Sequence, residues 1–188
     1  MRRIDQDAIV DGHAFRIPIH MSLASTAIEP SRFREALGHY ASGVTVITSH
    51  IDDEPVGFTC QSFHSVSMNP PLVSFNVMAS SYSYPKIRQA GRFVVNILSN
   101  AQVRISNQFA QRGAAKWHDV EWRPSPLGNP IIAGCLHWFD CEIHAEHPAG
   151  DHLIVIGEVK SLHRQEAIAT HPLLYFKGKY CNLGVSAE

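Results

Sequence analysis

The sequence predicts a mainly β protein, an antiparallel Greek-key-like barrel with a few short flanking helices. Short runs rich in β-branched and aromatic residues recur along the chain, and polar or glycine-containing turns join them. Helical spacing is confined to a few short stretches. Because strands joined by tight turns pair antiparallel, we expect a closed or nearly closed β architecture rather than a parallel α/β sheet.

The first expected element is a helix from Pro30 to Gly43. Proline favours the first turn of a helix, glycine favours its end, and apolar residues recur between them at helical spacing. These apolar positions are Phe33, Ala36, Leu37, Tyr40 and Ala41. Residues 1–29 lack clean periodicity and are interpreted as an N-terminal extension, either a loose arm or a segment packed on a partner subunit. Residues 30–188 then form one domain.

Strands dominate the remaining chain. The first two flank a polar turn and are expected to pair as a hairpin. Short helices at 85–90 and 101–111 interrupt the strands, the proline-rich stretch 124–130 is a loop, and 148–150 is a tight turn. The expected strands are 44–50, 55–59, 72–77, 93–98, 136–143, 152–162 and 173–176.

Composition argues against several classes of function. Sixteen Lys and Arg balance seventeen Asp and Glu, so there is no electrostatic reason to expect binding to nucleic acid or to an anionic membrane surface. No apolar run reaches the roughly 18 residues of a membrane span, and the N-terminus lacks the apolar core of a signal peptide. Four widely spaced cysteines with no CxxC pair indicate thiols in a reducing compartment. We therefore expect a cytoplasmic protein.

No metal site and no familiar nucleotide-binding motif is expected. His144 and His147 form the only dense histidine cluster, and in a strand they would point to opposite faces. Neither GxGxxG, GxxxxGK[ST] nor GxSxG occurs. Cys60 is interpreted as a small packed residue rather than a redox-active thiol.

Three stretches nevertheless carry polar chemistry. Segment 57–69 is rich in short hydroxylated side chains, and a serine turn at 80–83 stands before a helix start, where backbone amides can cradle a phosphate. The GDH turn at 150–152 and the aromatic, basic segment 175–180 suit a planar anionic dinucleotide. Taken singly, each also has a structural reading as a polar loop, a helix cap or a turn.

Read together, these stretches resemble the flavin reductase family that partners flavin-dependent monooxygenases. The matching strings occur in order from about residue 32 to 184: FREALGHYASGVTVIT, PVGFTCQSFHSVSMNPPLVSF, GRFVVNIL, LGNPII, GDHLIVIGEV and PLLYFKGKY. The resemblance implies an FMN-binding split barrel, typically a homodimer. It also implies an NAD(P)H:flavin oxidoreductase that passes hydride to FMN or FAD and supplies reduced flavin to a partner monooxygenase.

The resemblance also implies site residues. His152 is the candidate catalytic residue, expected to orient the nicotinamide rather than to act as an essential acid. The implied flavin-binding residues are Thr59, Cys60, Gln61, Ser62, Phe63, His64, Met78, Ala79, Ser80, Ser81, Tyr82, Ser83, Tyr84, Gln111 and Arg112. The implied nicotinamide-binding residues are Pro55, Val56, Gly57, Phe58, Thr59, His152, Tyr175, Phe176, Lys177 and Gly178.

Several alternatives stay open in the sequence. The main rival is a non-catalytic flavin-binding module or redox sensor on the same barrel, although such a protein has no need for a nicotinamide site. No cation directly precedes Ser80, so we expect the flavin phosphate to be met by hydroxyls, amides, Lys86 or Arg112, and the flavin to be exchangeable. The choice between FMN and FAD is open, and the absence of an identifiable basic cluster favours NADH over NADPH.

Overall fold

The computed structural model describes residues 27–113, 115–164 and 171–183, which form three antiparallel sheets and a few short helices. The helices are α1 (Pro30–Gly38), α2 (Tyr84–Ala90), a 3-10 turn (Asn100–Gln102) and α3 (Val103–Ala110). The strands are β1 (Ser42–Gly43), β2 (Thr45–Ile51), β3 (Glu54–Cys60), β4 (His64–Met68), β5 (Pro71–Met78), β6 (Arg92–Ile97), β7 (Trp122–Pro124), β8 (Pro130–Ile132), β9 (His137–Ala149), β10 (His152–Arg164), β11 (Leu174–Phe176) and β12 (Lys179–Cys181).

The main sheet has seven strands in the order β3-β2-β6-β9-β10-β5-β4. It curls until β3 faces β5, although these two strands share no ladder. The Phe58 ring lies 5.9 Å from that of Phe75 across the gap. The Ser62 hydroxyl closes the gap further, because it accepts from Asn76 N at 2.8 Å and donates to Asn76 O at 3.1 Å. The barrel is therefore split between β3 and β5, and side chains rather than a ladder bridge the split.

The barrel core is aromatic and β-branched. Phe75 and Phe93 are fully buried and meet edge to face, with ring centroids 5.2 Å apart. Burial of each such side chain contributes about 1.5–3 kcal/mol. A second apolar cluster, which includes Phe109 of α3, packs on the outside of the barrel. The two clusters fix β3 between the barrel interior and α3.

A buried polar network holds the loop between β7 and β8 against the barrel. The Asp140 carboxylate, fully buried on β9, accepts from Leu127 N at 2.8 Å and from Asn129 Nδ2 at 3.0 Å. Asn96 bridges β2 and β8, since its amide donates to Val46 O and its carbonyl accepts from Ile132 N. Buried polar groups of this kind specify one arrangement because each has a partner.

The predicted fold class is confirmed, and several boundaries differ. α1 ends at Gly38 rather than Gly43, because the chain at β1 pairs with β11 instead of continuing the helix. Part of the expected polar segment 57–69 is the edge strand β4, and the expected loop 124–130 narrows to the connection between β7 and β8. β9 runs on to Ala149.

The expected N-terminal extension lies outside the described residues except for 27–29, and the division into an extension and a domain stays a prediction. Among the described helices, none is long and apolar enough to cross a membrane.

Candidate active site

A cavity of about 340 Å³ opens where the barrel is split. The end of β3, the end of β5 with the turn that follows it, the C-terminus of α3 and the start of β10 meet around it. Its lining residues are 58–62, 76–78, 81–83, 109–113, Lys116 and His152. Stretches that the sequence separates by more than 90 residues therefore share one site.

The first wall is the segment that ends β3, and its side chains are largely committed to the fold. Thr59 Oγ1 donates to Ser106 O at 2.6 Å, which ties β3 to α3. The Cys60 thiol lies 3.3 Å from Ser62 Oγ, and burial raises the Cys60 pKa, so the group stays a thiol. Ser62 spans the split as described. Exposed Gln61 and the backbone are the groups left to meet a ligand.

Gly57 sets the distance between this wall and α3. A Cβ at this position would lie 2.8 Å from Ile47 O and 2.9 Å from the Phe109 ring. Only glycine lets β3 and α3 approach this closely. The close approach keeps the α3 C-terminus at the cavity.

The second wall is the serine turn between β5 and α2. Ser83 Oγ donates to Gly57 O at 3.1 Å and is buried, so it connects the turn to β3. Ser81 Oγ accepts from Tyr84 N at 3.2 Å, which leaves its own hydrogen available to a ligand. Ser80 lines a neighbouring cavity rather than this one.

Lys116 supplies a cation that sequence reasoning missed. Its ammonium donates to Gly57 O at 3.2 Å and to Phe109 O at 3.0 Å. Burial lowers the Lys116 pKa, because desolvation disfavours the charged form. No motif surrounds this lysine in the sequence, and only the fold brings it beside the serine turn, 59 residues from Gly57.

His152 enters the cavity as the first residue of β10, beside the end of β5. Gly150 adopts a left-handed φ of 63°, which allows the tight turn, and the strand register then pairs His152 with Met78. His152 Nδ1 lies 2.7 Å from Asp151 Oδ1. This hydrogen bond lowers the Asp151 pKa. The bond holds the imidazole in one orientation while its ring stays 41% exposed.

Other predicted residues lie away from this cavity. Tyr84 is buried beneath the serine turn, Phe63 packs 5.7 Å from the Phe139 ring, and His64 lies exposed on β4. Ala79 also lies outside the lining. Residues 55–57 line the neighbouring cavity.

The segment 175–178 belongs to the three-stranded sheet and lines neither cavity. It is connected to the site indirectly. Tyr175 of β11 pairs with Tyr180 of β12, and the Tyr180 hydroxyl lies 2.9 Å from Ser106 Oγ. The Ser106 carbonyl in turn accepts the hydrogen bond from Thr59. The predicted nicotinamide contact of this segment stays a prediction.

The neighbouring cavity is larger, about 1320 Å³. It shares 81–83, Arg112, Gly113 and Lys116 with the first cavity, so the two meet at the serine turn and Lys116. It adds residues 54–57, Ser80, Pro85, Lys86, Ala115, Trp117 and His118.

The arrangement suits binding and orientation rather than covalent catalysis. The first cavity offers backbone groups along 59–62, a hydroxyl from the serine turn, two cations, and an imidazole at the start of β10. Its one thiol has a raised pKa, and no nucleophile–base pair occurs among its described lining residues. Such a site fits a planar ligand that carries an anionic tail.

Comparison with known proteins agrees with this geometry. The model of the flavin reductase like domain matches residues 37–184. The flavin-dependent monooxygenase reductase subunit HsaB of Mycobacterium tuberculosis is 43% identical over 159 residues, covering 85% of each chain. An NADH:FMN oxidoreductase of Rhodococcus erythropolis is 38% identical and covers 83% of each chain. A crystal structure of nitrilotriacetate monooxygenase component B from Mycobacterium thermoresistibile superposes with a TM-score of 0.81 at 41% identity, covering 84% of this chain and 88% of the other.

Proposed function

This chain belongs to the flavin reductase-like family, and we infer that it is an NADH-dependent flavin reductase acting on FMN or FAD. The reduced flavin is supplied to a separate monooxygenase. The observation that carries this function is the convergence of the β3 end, the serine turn, Lys116 and His152 on one cavity.

We propose that the isoalloxazine ring of the flavin lies along residues 59–62. The side chains there are bonded to the protein, so ring recognition falls to backbone groups and Gln61. This fits a ring system whose polar edge presents both donors and acceptors. When bound, the flavin accepts a hydride from the nicotinamide, and the protein contributes orientation and electrostatics.

The flavin phosphate is proposed to lie at the other end of the cavity, against Ser81, Lys116 and Arg112. The Ser81 hydroxyl has a free hydrogen, and the Lys116 ammonium is half-buried, where its charge acts more strongly than in water. These groups meet the phosphate without a cation directly before Ser80. We propose that binding stays loose enough for reduced flavin to leave, and a calorimetric FMN dissociation constant in the low nanomolar range would reject this.

His152 is proposed to orient the nicotinamide over the flavin. It lines the cavity beside 59–62, and Asp151 fixes its ring through Nδ1, which leaves Nε2 for the second substrate. Roles for 55–58 and 175–178 in nicotinamide binding remain proposals.

A homodimer and a cytoplasmic location are also proposed. In the part of the chain that the structure describes, no residue of α1 is buried, and Phe33 and Leu37 are each 56% exposed. An amphipathic helix whose apolar face is uncovered suits a contact with a second copy. The wide spacing of the four cysteines along the sequence supports a reducing compartment.

Steady-state kinetics test the function. Purified protein is given NADH or NADPH with FMN, FAD or riboflavin, and loss of reduced nicotinamide is followed by absorbance. We expect flavin-dependent turnover, faster with NADH. Absence of turnover with all three flavins would reject the proposal.

A further inference from the structure

The larger cavity continues the smaller one at its phosphate end. The two share the serine turn, Arg112, Gly113 and Lys116, whereas residues 59–62 and His152 line only the smaller cavity. The smaller cavity, about 340 Å³, is near the lower limit of the roughly 300–1,000 Å³ of ordinary ligand pockets. A cavity of this size suits the isoalloxazine ring and ribityl chain of a flavin mononucleotide. A longer flavin would extend into the larger cavity.

The charged side chains that line the larger cavity are mainly cationic. Lys86, Arg112 and Lys116 face one carboxylate, that of Glu54, among its described lining residues. Clefts lined by one sign of charge concentrate ligands of the opposite sign. If Lys116 and Arg112 meet the first phosphate of a flavin, Lys86 is the cation left for a second phosphate.

Lys86 is able to change partners. Its ammonium lies 3.4 Å from Glu54 Oε2, and the two side chains are 38% and 71% exposed. Exposed ion pairs of this kind contribute little to stability. A phosphate can therefore replace the Glu54 carboxylate at small cost.

An exposed aromatic ring stands beside this cation. Tyr82 lines both cavities and is 75% exposed, and Lys86 Nζ lies 6.0 Å from its ring centroid. An exposed tyrosine offers a flat apolar face at which an adenine ring can stack. The cavity thus combines a cation for a phosphate with an aromatic surface for a base.

We propose that the larger cavity binds the ADP portion of FAD, so that this chain prefers FAD to FMN. This inference rests on the proposed function, since it takes the isoalloxazine to lie along 59–62. The ADP portion of a nicotinamide dinucleotide is the competing occupant, and the KM for NADH distinguishes it from the ADP portion of FAD in the test below.

The test compares two lysine variants. Lys86→Gln removes the proposed contact, and Lys160→Gln is the matched control, because Lys160 is 34% exposed, forms ion pairs with Glu142 and Glu158, and lies on β10 outside both cavities. Dissociation constants for FMN and FAD are measured by calorimetry on the full chain. The KM for NADH is measured with FMN as the acceptor.

We expect wild-type protein to bind FAD more tightly than FMN. Lys86→Gln should reduce the ratio of the FMN to the FAD dissociation constant about fivefold, while Lys160→Gln leaves the ratio unchanged. Equal wild-type affinities, or an unchanged ratio in Lys86→Gln, would overturn the inference. A raised KM for NADH in Lys86→Gln at an unchanged ratio would also overturn it and assign the cavity to the nicotinamide dinucleotide.

The failure of the underlying function has a different signature. Reduction of FMN and riboflavin by NADH does not depend on the ADP site. If none of FMN, riboflavin and FAD is reduced, the proposed function fails, and the inference fails with it. If FMN and riboflavin are reduced while FAD shows no preference, only the inference fails.

Discussion

Single residues around the cavity divide into those that hold the fold and those left to bind a ligand. Thr59, Ser62 and Ser83 are three of the hydroxyls that look most suited to a ligand, yet each bonds a backbone group across an element boundary. Ser81 keeps a free donor, and Lys116 brings a cation. The sequence identified the hydroxyl-rich stretches. It did not show which hydroxyls are bonded within the fold and which can bind a ligand, because that depends on which strands meet at the split.

Lys116 gives a prediction about phosphate recognition. Lys116→Met should weaken FMN binding about tenfold and leave riboflavin binding unchanged, because riboflavin carries no phosphate. Burial lowers the Lys116 pKa, so its charge is lost at a lower pH than in an ordinary lysine, and FMN affinity should fall as pH rises into the alkaline range. Fluorescence titrations measure both affinities.

Lys179→Met, at the exposed first residue of β12, is the control and should bind FMN normally. If Lys116→Met weakened the binding of FMN and riboflavin equally, Lys116 would stabilise the cavity wall rather than contact the phosphate.

Asp151 gives a prediction about positioning. Asp151→Asn should raise the KM for NADH about three- to tenfold with a smaller change in kcat, because His152 loses the partner that fixes its ring. Asp119→Asn is the control, since Asp119 Oδ2 lies 2.9 Å from Nδ1 of its neighbour His118 in an exposed pair. Steady-state kinetics with FMN separate the two parameters. A fall in kcat alone would contradict the positioning role.

At the scale of elements, α2 fixes the serine turn to the barrel. Tyr84, the first residue of α2, donates its hydroxyl proton to Glu146 of β9, and Arg88 Nε donates to the same carboxylate at 2.9 Å. Burial and the Glu146 bond raise the Tyr84 pKa. Burial alone would raise the Glu146 pKa, but the bonds from Arg88 and Tyr84 outweigh it and lower that pKa. The sequence predicted α2 and its Gly91 end but not this anchor, which joins residues 62 positions apart.

Tyr84→Phe should therefore lower the free energy of unfolding by about 2 kcal/mol, because it removes a hydrogen bond to a charged group. Tyr82→Phe, in the same turn but 75% exposed, should change it by less than about 0.5 kcal/mol. Urea unfolding followed by circular dichroism measures both. Similar small changes in the two variants would show that the turn is held by other contacts.

At the scale of the whole molecule, the split between β3 and β5 determines where the cavity lies, and α1 presents an exposed apolar surface. Period-two patterns and tight turns were enough to predict an antiparallel barrel, because they are local properties of the chain. The closure of the barrel through Ser62 and Asn76 could not be predicted in this way, since it depends on how far seven strands twist. The predicted apolar face of α1 is present, but nothing in the described part of the chain buries it.

If the exposed apolar face of α1 forms the interface of the proposed homodimer, one charged side chain placed on that face should dissociate the dimer. Leu37→Asp should convert a dimer to a monomer in sedimentation velocity, because a carboxylate on an apolar interface is desolvated without a partner. Leu162→Asp is the matched control, since Leu162 is 54% exposed against 56% for Leu37. A monomeric wild-type protein, or a dimer that persists in Leu37→Asp, would contradict the assignment of α1 to the interface.

Hydride passage from NADH to flavin in this cavity is the central claim, and anaerobic stopped-flow absorbance tests it most directly. Purified protein is mixed with FMN and NADH without oxygen, and the flavin and nicotinamide bands are followed together. Flavin bleaching that matches NADH loss mole for mole, and that slows in Asp151→Asn, is the predicted result. Flavin that binds but keeps its oxidised spectrum in excess NADH would contradict the account and leave a non-catalytic flavin-binding barrel.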